Sequence, residues 1–272
     1  MQTVDLTPAP TPSGDWANLP AVRVLRVEFR ATIEQRLPPL VTAALHGAMG
    51  YALREEACRC EGPGHSRSCT YAELAEPHPP AGAPSSITTK APAPLVFAPE
   101  RPVDGSTVVL REGERLVVRV TLIGPARRHE QLVLRALEHA GARGLGMGEA
   151  KPRGIRPSLS LDHVSMEPAP LPIPSRRIAV RLVSPARIVD DGKMNGAIEA
   201  KAFLGAVRRR ADMLAQLYGG GALPQPSFDD VVLSNRDTNV LHVRRYSTRQ
   251  GKRMIWPGVI GRFVLEGETL LH

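Results

Sequence analysis

Between Val22 and Ile33 the chain alternates, with Leu25, Val27, Phe29 and Ala31 on one parity and Val24, Arg26, Glu28 and Arg30 on the other. Period-two alternation is what a strand with one buried face requires. Pro38-Pro39 then breaks the chain, and from about Leu40 to Glu56 the apolar residues Leu45, Met49, Ala52 and Leu53 recur at helical spacing. This switch of period, strand then helix, is the strongest constraint on the fold, and it recurs. Strands are expected at Thr107–Arg111 and Arg115–Ile123, joined by the turn Glu112-Gly113-Glu114. An amphipathic helix over Glu130–Ala140 carries Val133, Leu134 and Leu137, with Gly141 as its stop, and Ser158–Val164 alternates as a last strand. The order β-α-β-β-α-β is the split unit of a ferredoxin-like domain.

The second half begins the same way. Arg177–Val183 reads as a strand and Ala197–Tyr218 as a helix, with Phe203, Val207, Leu214 and Leu217 inward and Arg208 and Arg209 opposite. Strands follow at Asp230–Leu233, Val240–Ser247 and Val259–Leu265, without a clear second helix. The expected class is therefore α+β, with two tandem ferredoxin-like (RRM-like) domains, the second degenerate. Their bounds are a flexible tail over 1–18, a first domain over 19–167 with a long Cys- and Pro-rich insertion at 58–102, a linker over 168–175 and a second domain over 176–272.

Composition narrows the function classes. No apolar run approaches the ~20 residues of a membrane-spanning helix, and the start of the chain has neither the basic nor the apolar region of a signal peptide. With three cysteines, a reduced, cytoplasmic compartment is expected and membrane or secreted classes are not. The net charge is +8, and 30 of the 35 basic residues are Arg. Arg presents a planar fork that matches phosphate oxygens, which suits a nucleic-acid backbone. A GC-rich genome would produce the same bias, along with the abundant Ala, Pro and Gly. Eleven aromatic residues in 272 argue against a platform that stacks successive unpaired bases.

Four constellations bear on chemistry. Gly141-Ala-Arg-Gly-Leu-Gly-Met-Gly148 leaves a helix and enters a strand, the reverse of a dinucleotide or P-loop glycine turn. Flanked by Arg143, Lys151, Arg153 and Arg156, it fits a backbone approaching a sugar-phosphate chain, or equally a loop that needs positive φ. Cys58, Cys60, His65 and Cys69 make C-x-C-x4-H-x3-C, four soft ligands able to hold a structural zinc; reduced loop cysteines are the simpler reading of so tight an opening. His46 lies mid-helix among Ala43, Ala44, Gly47, Ala48 and Gly50. Glycine costs about 1 kcal/mol in a helix interior, a cost met where something packs closely. An imidazole there serves either as a structural side chain or as a proton carrier at neutral pH. Finally, residues 244–253 hold five basic residues in ten, with Arg244 and Tyr246 on one strand face and Arg245 and Ser247 on the other, a phosphate-contacting edge or a solvated charged one. There is no G-x-S-x-G or H-E-x-x-H, and Asp190-Asp191 and Asp229-Asp230 sit beside turn signals.

In this order the chain resembles the CRISPR-associated repeat-RNA-processing endoribonucleases of the RAMP superfamily. The resemblance rests on Leu37-Pro-Pro-Leu, Leu45-His-Gly-Ala-Met-Gly-Tyr-Ala-Leu53, Cys58-Arg-Cys through Cys69-Thr-Tyr-Ala-Glu-Leu-Ala-Glu-Pro77 and Ala91-Pro-Ala-Pro-Leu-Val-Phe-Ala-Pro99. It continues through Leu122-Ile-Gly-Pro-Ala126, the Gly-Leu-Gly at 144–146, Ser184-Pro-Ala-Arg187, Arg208-Arg-Arg210 and Arg245-Tyr-Ser-Thr-Arg-Gln250. It implies two ferredoxin-like domains holding a CRISPR repeat hairpin, cleaved without a metal by attack of the RNA's own 2′-hydroxyl, with the mature crRNA retained among other effector-complex subunits. It implies His46 as general base and Arg23 as phosphate clamp. RNA contacts are expected from Arg143, Lys151, Arg153, Arg208, Arg209, Arg244, Arg245, Tyr246, Arg249 and Arg253. Many relatives carry Arg where His46 stands, which would assign the position to binding. The family also continues into a last strand and a second glycine-rich loop beyond the point where this chain stops at His272. A divergent type IV subunit, with arginines in place of the histidine, fits both departures, and a non-catalytic crRNA-binding subunit is the alternative function.

Overall fold

The structure is a computed structural model that describes residues 17–61, 64–79, 91–145, 158–168, 175–190, 193–194, 198–247 and 252–271. The first half runs β1 (Val22–Ala31), β2 (Gln35–Leu37), α1 (Val41–Ala57), α2 (Thr70–Ala75), β3 (Leu95–Pro99), β4 (Val108–Leu110), β5 (Arg115–Ile123), α3 (Glu130–Ala142) and β6 (Leu159–Glu167). The second runs β7 (Arg177–Ala186), β8 (Val189–Asp190), β9 (Lys193–Met194), α4 (Ala200–Tyr218), β10 (Val232–Ser247) and β11 (Lys252–Glu266).

The alternation in β1 has the expected consequence. Leu25, Val27, Phe29 and Ala31 are buried and face α1 and α3, and β1 pairs antiparallel with both β5 and β6. The sheet order β3-β5-β1-β6 is that of a ferredoxin-like unit. One strand differs from expectation. The second strand of the unit is β3, inside the segment read as an insertion, and not Thr107–Arg111. Leu95 and Phe97 fall opposite Leu122 and Val120 of β5 and extend the sheet's apolar side, whereas the three residues of β4 pair with β2 in a separate ribbon. The segment also carries α2, which buries Tyr71, Ala72 and Leu74 in the same core.

Gly141 does not end α3. It lies inside the helix, where a Cβ would come 2.9 Å from the Leu159 carbonyl oxygen and 3.2 Å from the Phe29 ring. The stop is three residues later, at Gly144, whose φ of +84° is the left-handed conformation that ends helices.

In the second half the sheet order β10-β11-β7 reproduces the first three strands of the unit. Among the described residues no second α-helix or fourth strand follows, only a short 3-10 helix over Glu268–Leu271. The Phe203 ring of α4 meets Phe263 of β11 edge to face at 5.1 Å. Ala202, Phe203 and Ala206 therefore line the core, and Val207, expected inward, is rotated out to 49% exposure. The two strands expected at 230–233 and 240–247 are one strand, β10, which passes through a bulge between Ser234 and Asp237. Gly261 of β11 makes room for it: its φ is +121°, and a Cβ would clash with the Asp237 carbonyl. The halves are joined by a hydrogen bond from the Val103 N–H to the Val183 carbonyl (2.9 Å) and one from the Tyr218 hydroxyl to the Pro92 carbonyl (2.6 Å). Burial pushes the Tyr218 hydroxyl up to about 12.

The sheet face opposite α1 and α3 is covered by ion pairs. Arg26 binds Glu28 and Glu100, Arg115 binds Glu28 (3.0 Å), Arg30 binds Asp162 (2.8 Å) and Arg119 binds Glu167 (2.8 Å). Hydrogen bonds to the two glutamates raise the Arg26 guanidinium, and the bond from Arg30 lowers the Asp162 carboxyl. These four arginines are matched by carboxylates within the fold, so this face is not a cationic surface in the way the net charge would suggest.

Two substitutions test this packing. Gly141→Ala, favourable in an isolated helix, should instead destabilise by about 1–3 kcal/mol in urea unfolding, because the added methyl overfills the contact with β6. Glu28→Gln keeps the shape but leaves two guanidinium groups without their shared carboxylate, and a loss of about 1–3 kcal/mol is expected in the same assay.

Candidate functional site

Helix α1 is set by its inner face. Val41, Leu45, Met49, Ala52 and Leu53 are buried against the sheet and α3, which turns His46, Gly47, Tyr51 and Arg54 outward. The His46 ring lies edge to face on Phe97 of β3, with centroids 5.5 Å apart at 81°. Phe97 thus holds the imidazole at the sheet's edge. The exposed position of His46 is the one a proton carrier needs and a buried structural histidine lacks.

The close packing expected at the two glycines is not made by the described chain. Built Cβ atoms at Gly47 and Gly50 would have no neighbour within 4 Å. Two residues that weaken a helix are thus retained on its open side. Gly47, Gly50, Tyr51 and Arg54 stand at i, i+3, i+4 and i+7 and so share that face. Tyr51, 54% exposed, was not singled out from the sequence, although the same spacing that locates the buried face locates it. Together the face offers an imidazole, a bare backbone strip, an aromatic ring and a guanidinium.

Arg23 lies at the start of β1, on the helix-facing parity, and its Nη1 binds the Glu130 carboxylate at the start of α3 at 2.5 Å. β1 and β3 are two strand spacings apart, on the order of 10 Å. Arg143 ends α3 and pairs with Glu55 of α1 at 2.6 Å, a bond that raises the guanidinium and lowers the carboxyl. Arg208 and Arg209 are on α4, the first half-buried and the second exposed. Lys151, Arg153, Arg156, Arg249 and residues 146–148 of the glycine-rich segment lie outside the described residues.

The basic segment at 244–253 falls at the end of the β10–β11 hairpin. Those strands pair from Val232–Glu266 to Ser247–Lys252, but β7 covers β11 only from Val259 onward, so the distal part is a two-stranded arm. In its register Arg244 pairs with Ile255, which is 62% exposed, Arg245 with Met254 and Tyr246 with Arg253. At the arm's base Leu241 lies against Gly105 of the first half.

Cys58, Cys60, His65 and Cys69 come together, with one donor atom of each within 4.8 Å of the others. None is disulfide-bonded. The Ser66 N–H donates to the Cys60 sulfur at 3.4 Å; this and the His65 contact bring the Cys60 thiol down to about 6, whereas burial raises that of Cys69.

The AF_1859_N family (N-terminal domain) matches residues 19–173. No curated protein matches the chain. Among solved structures, a Cas6 (TTHA0078) product complex is 17% identical, with 92% of this chain and 87% of that one covered at a TM-score of 0.50. A structure described as a Cas6-related gene from Pyrococcus furiosus is 9% identical, with coverage of 92% and 89% and a TM-score of 0.52. At such identities the likeness is one of fold. The chain belongs to the AF_1859_N family, and its two α+β units have the tandem ferredoxin-like fold of the Cas6 proteins.

Proposed function

We propose that the chain is an endoribonuclease that binds a CRISPR repeat hairpin, cleaves it at the base of the stem and keeps the product. The observation that carries this reading is the outer face of α1, where His46 stands beside a glycine strip on which no described part of the chain packs. A polynucleotide backbone can approach a helix closely only where side chains are missing. On this reading the repeat lies across that face and the hairpin arm with Arg244, Tyr246 and Arg253 grips the stem. The two units, 19–167 and 176–272, hold the RNA between them, and other effector subunits join the retained product.

The chemistry follows from the groups at hand. The 2′-oxygen attacks the adjacent phosphorus as the bond to the 5′-oxygen breaks, leaving a 2′,3′-cyclic phosphate and a 5′-hydroxyl. His46 Nε2 or Nδ1 accepts the 2′-proton, a role suited to an exposed imidazole near neutral pH. Negative charge grows on the non-bridging oxygens, and a nearby guanidinium offsets it. Arg54 is on the same face, and Arg23 reaches the phosphate only by leaving Glu130. No step requires a metal.

A second reading, a crRNA-holding subunit without cleavage, is favoured by the pairing of Arg23 with Glu130 and of Arg143 with Glu55, which leaves two expected RNA contacts already neutralised.

The test is incubation of the purified chain with its own repeat RNA in EDTA, beside His46→Ala. Cleavage to a cyclic phosphate and 5′-hydroxyl is expected, with the rate reduced about 10²- to 10⁴-fold in the variant and binding retained. An unchanged rate in His46→Ala would move the chemistry to the arginines, starting with Arg23. Binding without cleavage by the wild type would leave the holding subunit, and no binding would overturn both readings.

A further inference from the structure

We propose that Cys58, Cys60, His65 and Cys69 hold one structural zinc ion that fastens the end of α1 to the start of α2. The sequence alone favoured reduced loop cysteines; the geometry points the other way. Four donors around zinc, with arms of about 2.0–2.3 Å, lie roughly 3.3–3.8 Å from one another. Here the Cys58 sulfur is 3.4 Å and the Cys69 sulfur 4.0 Å from the same ring nitrogen, His65 Nδ1, and the whole set fits within 4.8 Å. A small contraction makes this a closed tetrahedron of three thiolates and one imidazole, the donor set and count of a structural zinc site with no open position.

Hydrogen bonding does not account for the convergence. A neutral imidazole nitrogen has one lone pair or one proton, so Nδ1 cannot satisfy two thiols at once. A zinc ion replaces the thiol protons and serves all four groups. The surroundings are those of a ligand shell. The Ser66 N–H points at the Cys60 sulfur (3.4 Å), the His65 ring rests against Tyr71 (centroids 4.8 Å apart), and the His65 carbonyl is 3.0 Å from His78 Nε2.

The position gives the ion its role. Cys58 is the residue that ends α1 and Cys69 the one that precedes α2. α2 then buries Leu74 in the core and carries Glu73 to Arg128 and to His129 (3.1 Å) in the turn after β5. The helix itself has only six residues, so the ion would add a link between α1 and α2 ahead of these contacts. The ion lies at the far end of α1 from His46 and takes no part in the proposed cleavage.

The test is metal analysis of the full chain, purified without chelator, reduced and equilibrated with zinc, then freed of excess by gel filtration. About one zinc per folded chain is expected, released stoichiometrically by a mercurial reagent. The cobalt-substituted chain should show the thiolate charge-transfer and tetrahedral ligand-field bands. His65→Cys, which keeps four ligands, should retain the ion, and Cys58→Ser and Cys69→Ser should lose it. A folded wild-type chain that carries less than about a tenth of an equivalent, with three thiols reacting freely, would overturn the proposal without reference to any variant. So would a stoichiometric metal other than zinc.

Discussion

Burial of one side of β1 is the constraint on which the rest of the first half depends. Val27 and Phe29 are wholly removed from solvent, with β5 and β6 on either side, so both helices must cover that one face. α1 then has no choice of orientation. Its apolar residues are taken up by the sheet and α3, and what remains outward is His46, the two glycines, Tyr51 and Arg54. The candidate site is thus the side of α1 left over once the core is made, placed at the sheet's edge because Phe97 of β3 lies beneath the imidazole.

Charge is distributed by the same constraint. Among the described residues no helix covers the opposite face of the sheet, and arginine–carboxylate pairs close it around Glu28, a buried carboxylate. A reading of net charge alone assigns these arginines to a ligand, whereas the fold uses them on itself. The basic positions of the hairpin arm lie beyond the reach of β7, on a two-stranded ribbon in which Tyr246 pairs with Arg253.

Much of this was legible in the sequence, and the failures have physical causes. β5 was read residue for residue, because apolar alternation with a tight turn before it has no competing interpretation. β3 escapes a sequence reading because four residues between Pro94 and Pro99 look like a loop, and its partner on β5 is about twenty residues away. Period two reports that a segment is a strand, not which strand it joins, so β4 was placed in the main sheet when it pairs with β2. The Ser-Asn-Arg-Asp run within β10 reads as a turn, and only the bulge, which falls between the pairs Ser234–Val264 and Asp237–Arg262, keeps it in one strand. His46 and the Cys/His set were both visible as residues. Their exposure and their convergence depend on tertiary packing that spacing does not encode.

The account's central claim is that the bare strip of α1 is kept open for a backbone from outside the chain. The most direct measurement compares the double variant Gly47→Ala, Gly50→Ala with wild type in two assays, thermal unfolding and affinity for the repeat RNA. Nothing in the described chain obstructs the added methyl groups, so the helix should gain about 1 kcal/mol at each site and the melting temperature should rise. Affinity should fall at least about tenfold as the RNA backbone is held off. A variant that gains stability and binds the RNA as tightly as wild type would contradict the claim.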